Sequence, residues 1–368
     1  MRLRCFWPIV LAASVFAGQD VIDNPRKPVA EDGGRVVNLR EIWRISDASG
    51  EFYFKHPYRL RIAPDGSIFV QDSKELLKFT PDGRFIANLF REGPGPREMS
   101  PTFNYLIDGR DLIIYDSGSS RMWRVDAEGR FLNDIPVEKA LRVFVLGMYR
   151  DNLVYFREEA LPPDTVIPGF VDIPHRIGLL SKDGKTVAEF QPFVAKRYLI
   201  QGGNLIWGNA VKTLSHDGRY LYGFHGRDYL IEVMDLKEGK IVRRFRRDYP
   251  RVPESETKRQ REFRESRKLP KAEFKVDIVG LIPDGSRVWA ATSTEDPVKG
   301  RLWDVFDDHG RYVDCLFFGA QRQVLLIADG MIFVLERNED EILSLVKYRM
   351  LNGGHDTHSP ISRQGLIT

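Results

Sequence analysis

A turn recurs along this chain at intervals that few folds tolerate. Asp-Gly or a close substitute separates two apolar β-type runs at Asp65-Gly66, Asp108-Gly109, Arg150-Asp151, Asp217-Gly218, Asp284-Gly285 and Asp329-Gly330, with spacings of 43, 43, 66, 67 and 45 residues. A second series falls between them, at Asp82-Gly83, Glu128-Gly129, Asp183-Gly184, Glu238-Gly239 and His309-Gly310. Glycine after an acidic residue suits a tight hairpin, which demands positive φ. Two hairpin turns per unit define four strands, a to d. A four-stranded unit repeating near every 43 residues is the signature of a propeller blade. The 368 residues accommodate six, and 42% hydrophobic content supplies the core.

The sixth unit is incomplete. Met331–Leu335 reads as its strand b and Ile342–Tyr348 as its strand c, after which the chain turns polar. A surplus strand, Arg35–Trp43, precedes the first blade. Pairing the two removes both unpaired edges of an open ring. The expectation is an all-β, six-bladed propeller of four-stranded antiparallel blades, closed by an N-terminal strand completing the last blade. A pair of β-sandwiches leaves the surplus strand and the short unit unexplained. The organisation expected is a signal peptide over 1–17, an N-terminal linker over 18–34, the propeller over 35–351 with a helical insertion over 253–270, and a polar tail over 352–368.

Blades 1 and 2, about residues 51–135, carry a resemblance. Pro57, Ile68-Phe-Val-Gln-Asp72, Lys78-Phe-Thr-Pro-Asp-Gly-Arg-Phe85, Glu92-Gly-Pro-Gly-Pro-Arg-Glu98 and Pro101 resemble an NHL-type repeat, although the linker has one glycine fewer than the usual pattern. The resemblance implies a six-bladed propeller of TolB-like architecture, with many secreted bacterial members. For enzymes of such folds it implies metal ligands or acid/base groups at the channel mouth: a carboxylate and amide cage in lactonase-like members, several histidines in amidating-lyase-like ones.

The stretch Arg91-Glu-Gly-Pro-Gly-Pro-Arg-Glu-Met-Ser-Pro101 suggests a phosphate loop, but it lies between two strands, whereas phosphate loops open onto a helix. It reads as the connector from blade 1 to blade 2. With strand a lining the channel, this connector and the b–c links define a top face. The long segments 157–175, 193–209, 248–274 and 293–300 all fall there. Insertions on one face mark a binding face, or drift in tolerant loops. Within them, Pro253–Pro270 reads as a charged helix with Glu254–Lys258 and Arg261–Glu265 pairs, serving either as a basic lid or as a solvated surface element.

The top of the channel is expected to carry His56, Arg59, Asn104, Arg142, Asn209, Lys212, Asp277 and Arg322, with Arg97, Glu98, His175, His225 and Arg261 on the rim. Cations outnumber carboxylates in this set, which suits a carboxylate, sulfate or phosphate better than a calcium cage. Asp72 and Asp116 end strand b of blades 1 and 2 and are expected to cap backbone N–H groups of the b–c links. Convergence of His56, His175 and His225 on a metal is the alternative arrangement.

Charge and cysteine complete the reading. The formal net charge is +3, and Lys240–Lys275 alone holds fourteen Lys/Arg and six Asp/Glu, a local +8. A near-neutral chain of this kind is not a general nucleic-acid binder. Met1-Arg-Leu-Arg followed by Pro8–Ala17, with Val15 and Ala17 before Gly18, is the pattern of an export signal. Loss of that segment leaves Cys315 as the lone cysteine, expected in the core. Walker, zincin, C-x-x-C and G-x-S-x-G motifs are absent. The expectation is an exported, periplasmic or extracellular, monomeric propeller without a membrane span. It would bind an anionic small molecule or an exported protein or peptide, without cofactor. The alternative is a metal-assisted lyase or hydrolase with Ca or Zn at the channel mouth.

Overall fold

The computed structural model describes residues 21–46, 50–93, 95, 98–100, 103–116, 121–137, 143–160, 169–200, 205–206 and 211–351. The turn series phases six radial sheets. Blade 1 comprises Pro57–Ile62, Ile68–Asp72, Glu75–Phe79 and Phe85–Asn88, and blade 2 Phe103–Asp108, Asp111–Asp116, Arg121–Val125 and Phe131–Ile135. Blade 3 comprises Phe144–Tyr149, Asn152–Glu158, Gly169–Ser181 and Thr186–Glu189, and blade 4 Val211–Leu214, Tyr220–Phe224, Ile231–Asp235 and Lys240–Arg247. Blade 5 comprises Ile278–Asp284, Arg287–Asp296, Gly300–Phe306 and Tyr312–Phe317. Blade 6 supplies only Arg322–Ala328, Met331–Arg337 and Leu343–Leu351. Innermost strands of successive blades touch all the way round, including blade 6 against blade 1. Gly66 takes φ 86°, and the non-glycine Arg150 adopts the same left-handed region at 53° because its turn has no glycine.

Ring closure is by Asn38–Ile45, antiparallel to the last strand from Leu345↔Ile45 to Leu351↔Asn38. The expected closing strand Arg35–Trp43 is therefore shifted. Arg35 and Val36 instead run parallel to Leu316 and Phe317 on the outer edge of blade 5. Upstream, in the segment expected as a linker, Val21–Asn24 runs parallel to Arg244–Arg247 on the outer edge of blade 4. Both outer edges would otherwise present unpaired backbone groups. Arg35 fixes its strand with a two-pronged contact to Asp314, at 3.0 and 2.9 Å.

Blade 3 departs from the repeat. Its third strand has 13 residues, and the upper half pairs with Phe193–Leu199, from Gly169↔Leu199 to His175↔Phe193. Two segments expected as loops thus form a sheet extension above the blade.

Apolar side chains fill the seams between blades. The seam of blades 4 and 5 joins Phe224, Ile231, Phe245, Ile278, Phe306 and Tyr312, with Cys315 buried beside them. At its upper end Arg247 grips Asp304 at 2.7 and 3.1 Å, while Tyr229 and Tyr312 each donate a hydroxyl to the same carboxylate at 2.7 and 2.8 Å. Tyr229, Tyr249 and Tyr312 surround the guanidinium at 5.5, 4.9 and 4.9 Å. The pair is fully buried and fully hydrogen-bonded, the condition under which a buried ion pair is tolerated.

Within 253–270 only Lys258–Ser266 is helical. Thr257 and Gln260 form a capping box, which starts the helix too late for Glu254 to share a face with Lys258. Arg264 pairs with Glu256 and Glu265 instead, at 2.7 and 3.3 Å. No described helix is long and apolar enough to cross a membrane.

Asp304→Ala, which leaves Arg247 buried without its counter-ion, is expected to cost about 3–5 kcal/mol. Tyr312→Phe should cost only ~1 kcal/mol. Urea unfolding midpoints check both values.

Candidate functional site

Top-face loops of blades 5, 6 and 1 enclose an open cavity of about 1240 Å³ at the channel mouth, lined by His56, Tyr58, Glu295, Arg301, Arg322 and Arg337 among others. Its charges are mutually satisfied. Arg322 donates to Glu336 at 2.6 Å and lies over the Tyr348 ring at 5.1 Å. Arg337 pairs with Glu341 at 3.2 Å, and Arg301 with Glu295. His56 lines the wall, and its backbone N–H donates to Asp72 at 2.5 Å. Arg322 is thus committed to a carboxylate, against the expectation of a free cation there.

Deeper in, each strand a turns an unpaired backbone edge towards the channel. Side chains of other blades cover parts of it. Gln71 Nε2 donates to the Phe103 carbonyl at 2.8 Å, Asn104 Nδ2 to that of Val145 at 2.7 Å, and Arg61 to that of Leu146 at 3.4 Å. Asn104 therefore joins blades 2 and 3. Arg59 donates to Gln71 Oε1 at 2.6 Å. Arg59 and Arg61 project from one strand face, two residues apart, near the rings of Tyr58 and Tyr105 at 5.5 and 5.9 Å. Neither has a carboxylate partner among the described residues, and burial lowers the pKa of both. Arg61 was missed from sequence; the alternation Arg59-Leu-Arg61 within a strand a is the signal that would have found it.

The position opposite the first residue of strand a shows a second pattern. It is acidic in blades 1, 2 and 6, as Asp72, Asp116 and Glu336. Asp72 accepts from the backbone N–H groups of Lys55 and His56, and Asp116 from that of Ser100. Asp72 and Asp116 thus cap the chain entering strand a, which passes directly above them. In blades 3, 4 and 5 the position holds Phe156, Phe224 and Thr292.

Lys212 meets this change. Its ammonium lies 4.2 Å from the Phe156 ring centre and 2.5 Å from His175 Nδ1. His175 is fully buried, stacks on Phe156 at 5.3 Å, and holds Nε2 3.4 Å from Glu158. His225 stacks on Phe193 at 4.4 Å and approaches His175 edge-on at 6.3 Å. Gly223 leaves room for this ring, since a Cβ there would collide with the imidazole. Both ring nitrogens of His225 lack a hydrogen-bond partner; its Nδ1 is 3.5 Å from Glu232, which Arg244 holds at 2.8 Å. Burial depresses Lys212 to about 7 and His225 to about 4, and lowers His175. Glu158 is lowered chiefly by its contact with His175, with burial opposing. Expected on the rim, the two histidines are interior because aromatic rings of blade 3 and its extension cover them.

His56 sits at the mouth on blade 1, apart from this pair. Among the described residues no three His, Cys, Asp or Glu groups converge as a metal site. Asp277 is only 2% exposed and receives Arg251 at 3.1 Å, with burial raising its pKa. Glu98 turns into its own connector, accepting from Gly95 N–H at 2.8 Å; a Cβ on Gly93 or Gly95 would occupy the space of its carboxylate. Arg261 is exposed on the helix, and no residue of 253–270 lines the cavity. Arg97, Arg142 and Asn209 lie outside the described residues, as do the expected signal segment and polar tail.

A family described as a 6-bladed beta-propeller (DUF5128) matches residues 47–164. No curated protein matches the sequence. A protein of Bacteroides fragilis NCTC 9343 described as exported shares the fold with a TM-score of 0.57 and 11% identity, over 90% of this chain and all of its own. A duf4221-family protein of Bacteroides vulgatus ATCC 8482 follows at 0.52 and 11%, over 86% and 99% of the two chains. At these identities the likeness is one of fold.

Protonation of Lys212 sets a pH dependence. Its folded value is about 7 against an ordinary 10.5, so the unfolded chain binds more protons between them. Stability therefore rises as pH climbs through that window and is lowest below it. Lys212→Met should raise the melting temperature relative to the parent at pH 6, with the gain shrinking by pH 10. Thermal denaturation at the two pH values checks this.

Proposed function

We propose that this protein is an exported scaffold that binds an anionic ligand inside its channel, below the mouth. One observation carries the reading. Arg59 and Arg61 line the channel without a carboxylate partner, whereas Arg301, Arg322 and Arg337 at the mouth are each paired with one. A guanidinium half-removed from water and facing only amide, carbonyl and ring groups retains capacity for a two-pronged contact to carboxylate or phosphate. The open cavity, lined on this blade by His56, Pro57 and Tyr58, borders the start of the same strand. The basic start and short apolar run before Gly18 support export. Metal-assisted hydrolysis has no ligand set behind it among the described residues.

Calorimetric titration with oxalate, malonate and phosphate at constant ionic strength tests this. Saturable binding of at least one anion is expected, weakened about 10-fold or more in Arg59→Gln/Arg61→Gln, the scale of losing charge-assisted hydrogen bonds. Arg322→Gln should matter less. Binding unchanged in the double variant would remove these arginines from the site.

A further inference from the structure

We propose that Lys212 is a nucleophilic amine that forms an imine with a carbonyl compound entering from the channel, with His175 as its proton shuttle. This site is independent of the anion site, because a different break in the repeat forms it. Where blades 1, 2 and 6 place a carboxylate opposite the start of strand a, blade 3 places Phe156, and Lys212 meets that ring instead of an acid. Local departures from a repeat's own rule concentrate at functional positions.

The groups facing Lys212 favour the free amine. Phe156 and His175 are its nearest neighbours from blade 3, with the Arg197 cation from the extension and His225 from blade 4 behind them. Glu158 is the acid acting on it, but its closest contacts are Arg197 and His175 rather than Lys212. Desolvation and a neighbouring cation are the two ways a lysine is made nucleophilic near neutral pH, and burial accordingly holds this one at about 7. His175 Nδ1 is already 2.5 Å from the amine, and its other nitrogen backs onto Glu158, which stabilises the imidazolium when it forms. His225, with both ring nitrogens unpartnered, is a neutral polar group buried beside them.

The chemistry balances without a redox partner. The Lys212 nitrogen lone pair adds to the carbonyl carbon, and the C=O π pair passes to oxygen. His175 moves one proton from the adduct's ammonium nitrogen to its alkoxide oxygen, giving a carbinolamine, then gives a second proton to that hydroxyl oxygen and recovers it from the remaining N–H. That oxygen leaves as water while the nitrogen lone pair closes the C=N bond. The sum is amine plus carbonyl giving imine plus water.

The test uses propanal with sodium cyanoborohydride, which reduces the imine to a stable propyl amine, read by peptide mass spectrometry. Lys212 is expected to gain one propyl group at pH 7 at least 10-fold faster than the exposed Lys237 or Lys268, with a rate half-maximal near pH 7. Lys212→Arg should lose that fast event alone. His175→Gln, with its melting curve confirming the fold, should slow it several-fold and move the pH midpoint. Because propanal is uncharged, Arg59→Gln/Arg61→Gln should still be labelled, so failure of the anion site and failure of this proposal are separable. Lys212 left unmodified, or modified with the rate and pH profile of Lys237, overturns the proposal.

Discussion

Unpaired strand edge is the constraint on which this structure depends. Six radial sheets generate two loose ends around the ring, six outer edges and six inner ones. The ends are joined by Asn38–Ile45 against the last strand of blade 6. Two outer edges are taken by the N-terminal segment, at Arg244–Arg247 and at Leu316–Phe317. The inner edges face the channel, and polar side chains from other blades reach across to them. Arg61 is one of those side chains, so a structural demand of the fold supplies the cation at the centre of the binding proposal.

The chain also separates charges meant for structure from charges left over. By count alone the basic stretch Lys240–Lys275 resembles an anion-binding patch. In the fold Arg244, Arg246, Arg247, Arg251 and Arg264 each meet an acid, four of these acids, Glu232, Asp23, Asp304 and Asp277, lying outside the stretch. The seam of blades 4 and 5 is held by one such pair. Arg59, Arg61 and Lys212 have no equivalent hydrogen-bonded acid among the described residues, and all three belong to strand a.

Turn chemistry made the ring legible. Every Asp-Gly or Glu-Gly turn read from sequence lies between the strands it was expected to join, because positive φ at those positions admits little else. The edge assignments were harder to read. Arg35-Val36 has the same β character as the strand beyond it, and nothing local says which edge it will find. Val21–Asn24 is short and polar, and only its parallel partner 223 residues away makes it a strand. His175 and His225 looked like rim residues because they stand at the top ends of strand c of blade 3 and strand b of blade 4. They are interior because Phe156 and Phe193 stack on them, a contact between segments that sequence distance conceals. The candidate cations were legible as types and positions, but their pairing was not: Arg322 has an acid across its own hairpin, while Arg59 has an amide.

The central claim is that the channel holds an anion between Arg59 and Arg61. A crystal structure grown with selenate, located by its anomalous scattering, tests it most directly. The account predicts a selenium peak inside the channel with oxygen atoms within hydrogen-bonding distance of both guanidinium groups. Selenate found only at exposed lysines and arginines, with the channel free of anomalous signal, would contradict it.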